Sequence, residues 1–335
     1  MNEKKTFGKN NWIILILFGL VGQIAWSVEN MYFNTFVFDT VAADLDAITL
    51  MVQLSGVMAT VATLVAGAIS DKVGNRRKFI SIGYAIWGVT VALFGYLSPS
   101  LTMSIFGVEL ERAISITLTA VIVGDCVMTL FGSTANDACF NAWVTDNTKP
   151  SFRGTVEGVL AILPLVAMLI VAGGFGILVD LLGGYSTVFL ILGIIISICG
   201  IVGIFIVKDS DELEKSGTLK DIFYGFRPSV IKGNKSLYAA FLIVVVYGIA
   251  CQIFMPYLII YYEKSLEMTN YVFIMAPAII LASVATFIWG KVYDKKGYKF
   301  SATLSVIALS VGYILLFVFK NTALVFIGSL FMMCG

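Results

Sequence analysis

Four carboxylic acids sit in the interior of apolar stretches of the chain: Glu29, Asp125, Asp137 and Glu157. An ionised side chain at the centre of a bilayer costs roughly 2.5–3.5 kcal/mol on insertion scales, so each needs a partner or a task. Around the first, "QIAWSVENMYFN" places Gln23, Trp26, Asn30 and Asn34 in steps of three and four residues. Such steps align side chains along one stripe of a helix. An indole can lie against the apolar face of a sugar ring while amides hydrogen-bond its hydroxyls. The competing reading of the stripe is hydrogen-bonded glue between helices. Glu29 lies beside it. Asp137 and Asn141 are four apart and share a face, with Asn136 adjacent. Asp137, and Glu29 after it, are the candidates for proton or cation coupling. Asp125 precedes Asp137 by twelve residues. At 1.5 Å per residue this is roughly 18 Å along a straight helix, which places Asp125 outside the same site. Arg153 and Glu157 are expected to pair across one helical turn. "VVYGIACQIFMPYLIIYYE" adds Gln252 and Tyr257 as deeper candidates, and Tyr261 and Tyr262 as tyrosines of an interfacial belt.

The chemistry these residues suit is binding and proton exchange. There is no His, no nucleophile–base set and no nucleotide loop. No enzyme activity, cofactor or nucleic-acid partner is expected. The five cysteines, Cys126, Cys139, Cys199, Cys251 and Cys334, lie in apolar runs without metal-ligand spacing and read as packed side chains.

The elements that must hold this constellation are membrane spans. Of 335 residues 59% are hydrophobic and 13% charged, and the mean hydropathy is +0.94. A soluble domain carries about a quarter charged residues. A span needs roughly 20 apolar residues. Runs of that kind fall at 12–38, 48–70, 79–97, 114–144, 154–180 and 184–207. The polar segment 208–235 follows, then runs at 236–262, 269–292 and 300–319, and a shorter one at 322–335. The basic-flanked first run lacks a cleavage motif and is expected to be retained. With the N-terminus in the cytoplasm, 19 of the 22 Lys and Arg fall on the cytoplasmic side. The expected location is therefore the cell membrane, as a multi-pass monomer in the lipid bilayer.

One charged turn is written twice. Gly67, Asp71, Lys72 and Gly74 repeat as Gly290, Asp294, Lys295 and Gly297, 223 residues on. Each copy follows the second span of its half. Parallel repeats of this kind build transporters with a cavity between two halves. Any cytoplasmic loop is basic, but that does not explain a repeat in register.

With Arg76 and Arg77, the first copy resembles the signature loop of the major facilitator superfamily, and the second sits where that family has its degenerate copy. The resemblance implies an all-α membrane fold of two six-helix halves. The halves would be 1–207 and 236–335, joined by a cytoplasmic loop at 208–235, with the chain ending after about nine and a half helices. It also implies a gating role for Gly67, Asp71, Lys72, Gly74, Arg76, Arg77, Gly290, Asp294 and Gly297. Within the superfamily, "NMYFNTFVFD", "GNRRKFISIG" and "NDACFNAW" resemble the glycoside–pentoside–hexuronide:cation symporters. That narrower resemblance implies uptake of a sugar or glycoside with a proton or cation. Gln23 stands at those symporters' sugar-binding acid, Ala59 and Thr63 at their cation-binding pair, and Asp137 keeps the acid of their fourth helix. The implied partners are a small carbohydrate-like solute and a coupling ion. Export of another small molecule, or sensing without transport, are the alternatives.

Overall fold

The computed structural model describes residues 7–149, 152–210, 223–268 and 270–334. Among these the secondary structure is helical, as apolar sequence without strand alternation requires in lipid, where a helix satisfies its own backbone. The chain runs α1 (Lys9–Val41), α2 (Leu45–Val73) and α3 (Arg76–Phe94), then a short α4 (Pro99–Phe106). There follow α5 (Leu110–Asp146), α6 (Arg153–Leu181), α7 (Tyr185–Ile206) and a short α8 (Pro228–Gly233). The remainder is α9 (Lys235–Ser265), α10 (Val272–Val318) and α11 (Thr322–Cys334). Eight segments among the described residues are long and apolar enough to cross a membrane.

α10 covers both the eighth and ninth expected runs. It is not a straight rod. Trp289 Nε1 donates to Ser305 Oγ at 3.0 Å, although sixteen residues of straight helix would separate them by about 24 Å. The run therefore doubles back between these residues, where the second charged turn was expected. Gly290 and Gly297, and the side chain of Asp294, lie outside the described residues.

By its contacts the chain divides into two compact units, residues 1–164 with 179–257, and residues 165–178 with 258–335. In the first unit, α3 and α7 meet through small residues. A side chain added at Gly88 would collide with Gly193 and Ser197, one at Gly193 with Ala92, and one at Gly200 with Ala85 and Ser81. Such stripes let two helices approach closely where no hydrophobic force distinguishes protein from lipid. An aromatic cluster closes the α1 side, with Phe33 stacked on Phe94 at 4.4 Å between ring centroids and edge-on to Phe189 at 4.7 Å.

In the second unit, α10 and α11 pack with Gly312 against Met332 and Gly328. Tyr261 donates to the Leu316 carbonyl at 2.7 Å. Tyr262 is fully buried and hydrogen-bonded to Ser329. Tyr262, expected in an interfacial belt with Tyr261, is thus turned into the protein. A phenol close to an apolar helix satisfies its hydroxyl there as readily as at a water interface.

Candidate functional site

α1 is interrupted by π-helical turns at Glu29–Phe33 and Val37–Val41, and α5 by one at Ser133–Phe140. A π turn inserts an extra residue per turn, frees backbone groups and re-aims the side chains after it. Asn30 Nδ2 donates to the Trp26 carbonyl at 2.8 Å and Asn34 Nδ2 to the Asn30 carbonyl at 2.9 Å. Each amide thus spends one N–H on a carbonyl of its own helix. The Asn34 oxygen is buried and has no hydrogen-bond partner.

The π turns at Glu29–Phe33 and Ser133–Phe140 open onto a cavity of about 360 Å³ in the first unit. Gln23, Trp26, Asn30 and Asn34 line it from α1, as their spacing predicted, together with Glu29. Asp137 lines it from α5 and Gln252 from α9. Asp137 is held from behind: Asn136 Nδ2 donates to Asp137 Oδ1 at 3.0 Å. The Tyr84 hydroxyl lies 2.8 Å from both Asn136 Oδ1 and the Phe18 carbonyl. This buried relay fixes the aspartate's orientation.

Two predicted residues fall outside. Asn141 is exposed and donates to the Asp137 carbonyl at 3.1 Å. Tyr257 lines an adjoining, more apolar cavity of about 550 Å³, its hydroxyl 2.5 Å from Thr49 Oγ1. Gln252, Val52 and Gly56 border both cavities.

The placement of Asp125 is corrected. It lines the same cavity as Asp137, although it is 2% exposed and a full run of helix away. The distance along the axis stands, but the cavity extends along α5 and reaches both ends. Thr129 and Ser133, between them on the cavity wall, were missed, as was Ser55 on α2. The steps from Asp125 to Thr129, Ser133 and Asp137 are each four residues, and that signal was available in the sequence. Thr129 Oγ1 donates to Glu29 Oε1 at 3.1 Å, joining α5 to α1.

At the far end of α2 the charged turn is built as a polar knot. Gly74 closes α2 in the left-handed conformation (φ 65°), which a residue without a Cβ adopts at no cost. Asn75 then caps α3, its Oδ1 accepting from Lys78 N at 3.0 Å. Arg76 is buried. It pairs with Asp71, donates to Ser70 Oγ at 2.5 Å and reaches Asp146 Oδ2 at 3.1 Å. Asp209 Oδ1 accepts from the Arg77 backbone N–H at 2.9 Å. Lys72 is exposed, and nothing would obstruct a side chain at Gly67. The other expected ion pair does not form: Arg153 and Glu157 are both exposed and lie more than a salt-bridge distance apart. Spacing of four permits a pair, but ordering two solvated side chains repays little.

The family model of the Major Facilitator Superfamily matches residues 12–335. No curated protein matches the chain. Matching solved structures include a bacterial homologue of the human lysosomal transporter Spinster, in an inward-facing and unoccupied conformation. It has a TM-score of 0.59 at 14% identity, over 99% of this chain and 74% of that one. At that identity the likeness speaks for the fold. The match along nearly the whole chain, the apolar helices and the charged knot after α2 agree: this is a multi-pass membrane protein that belongs to the Major Facilitator Superfamily of transporters.

Proposed function

We propose that the chain carries a small polar solute across the cell membrane, coupled to a proton, by alternating access of halves 1–207 and 236–335 about the linker 208–235. The observation that carries this reading is the cavity that gathers Gln23, Trp26, Asn30, Asn34, Asp137 and Gln252. Polar groups that converge on one intramembrane cavity, with an aromatic face among them, suit a hydroxylated solute. The narrower reading is uptake of a sugar or glycoside, supported by the symporter-like patches on α1, α3 and α5. The proton is favoured over sodium because α2 contributes Met51, Val52, Ser55, Gly56 and Ala59 to the wall and no acid. The asymmetry of Lys and Arg supports a cytoplasmic N-terminus.

Reconstituted vesicles with an imposed pH difference test the function. Labelled sugar or glycoside should accumulate on the alkaline side, and sodium should be dispensable. Accumulation that requires sodium would remove the proton from the scheme. Movement of neither sugars nor other small polar solutes would leave a membrane protein without transport.

A further inference from the structure

The cavity wall carries three carboxyl groups, Glu29, Asp125 and Asp137, and among the described residues that line it there is no Lys or Arg. The chain contains no His at all. Glu29 is within electrostatic reach of both aspartates. Three buried acceptors on the wall go unpaired, beside two buried donors without a partner, Trp26 Nε1 and Ser133 Oγ. Glu29 Oε2, Asp125 Oδ1 and Asn34 Oδ1 are buried and lack a partner, and Asp125 and Asn34 are 2% and 1% exposed. Buried acceptors of this kind are costly unless something supplies hydrogens to them.

A bare metal ion does not fit the need. Among the described residues no three carboxylate, His or Cys side chains converge closely enough to hold one. A proton on one carboxyl supplies a single donor. A group with several N–H bonds and a positive charge answers all three acceptors, and the three carboxyl groups without a Lys or Arg beside them. It can reach separated oxygens at once through charge-assisted hydrogen bonds.

We propose that the solute carries a protonated amine, its ammonium seated among Glu29, Asp125 and the Asn34 oxygen, with its hydroxyls toward Trp26 and Gln23. This rests on the cavity being the solute site and adds the charge of what occupies it. Asp137, engaged by Asn136, is left to the coupling proton.

Glucosamine, N-acetylglucosamine and ethanolamine separate the possibilities, since the first two differ at the nitrogen and the third has a protonated amine without a sugar ring. Binding to the purified full chain is measured by calorimetry at neutral pH. Glucosamine should bind about tenfold or more tighter than N-acetylglucosamine. Asp125→Asn should erase that preference, with Glu29→Gln as the second variant if the first does not fold. Equal binding of the two sugars would overturn the ammonium and leave the cavity reading intact. Ethanolamine binding without either sugar would uphold the ammonium and overturn the sugar. Binding of none of the three at about 10 mM would overturn the proposal, and protection of a cysteine at Ala59 by a neutral solute would then still keep the cavity as the solute site.

Discussion

Asp137→Asn should abolish accumulation driven by a pH difference while leaving exchange of solute across the membrane measurable. The substitution keeps the shape of the side chain and its contact with Asn136 Nδ2, 3.0 Å away, but removes the group that can take up and release a proton. A carrier that has lost its coupling proton can still equilibrate solute, because rocking between two states needs no net driving ion. Uptake against a gradient should fall to the uncoupled level, a loss of about tenfold or more where each 1.4 kcal/mol of coupling is worth a factor of ten. Counterflow with preloaded vesicles gives the second readout. Equal loss of accumulation and counterflow would make Asp137 a structural or solute-binding group instead. Unchanged accumulation would remove it from the mechanism.

Arg76→Gln should cost both stability and turnover. The guanidinium ties Asp71 and Ser70 at the end of α2 to Asp146 at the end of α5, and its own side chain is 6% exposed. Removing the cation leaves two carboxylates beside one another. Loss of one partner of a buried pair costs about 3–5 kcal/mol. Asp71 is 45% and Asp146 24% exposed, so water offsets much of that, and about 1–3 kcal/mol is expected. Asp71→Asn should cost less than half as much, since Asp146 still holds the arginine. Thermal unfolding in detergent measures the first effect and solute counterflow the second. Arg76→Gln as stable as the parent would show that the knot does not hold the helix ends together.

The regions legible in the sequence are those where the cause is local. Helical period alone aligned Gln23, Trp26, Asn30 and Asn34, and all four reach one cavity. Gly74, repeated at Gly297, marked the turn after α2 because a residue without a Cβ closes a helix readily; the cap that Asn75 supplies to α3 was not read. What escaped was set by partners distant in the chain. Asp146 meets Arg76 across 70 residues, and no spacing rule links them. Asp125 was set apart by a ruler laid along a straight helix, whereas the cavity runs parallel to that helix and α5 is re-aimed by its π turn. Tyr262 was placed in a belt because its sequence neighbours are interfacial in type, while the hydroxyl of Ser329 that buries it lies 67 residues on. The pairing of Arg153 with Glu157 failed for the opposite reason: the local rule permits the pair, and exposure removes the incentive.

The central claim is that the cavity between Trp26, Asp137 and Ala59 is where the solute sits. Ala59 has a small side chain on the cavity wall, and none of the native cysteines lines the cavity. A cysteine introduced there should be alkylated by a small thiol reagent. The solute that supports uptake should slow that reaction in proportion to its occupancy, while a cysteine at exposed Thr145, outside the cavity, reacts at an unchanged rate. Protection at Ala59 alone is the predicted result. Equal rates at Ala59 with and without saturating solute would contradict it and move the binding site elsewhere in the molecule.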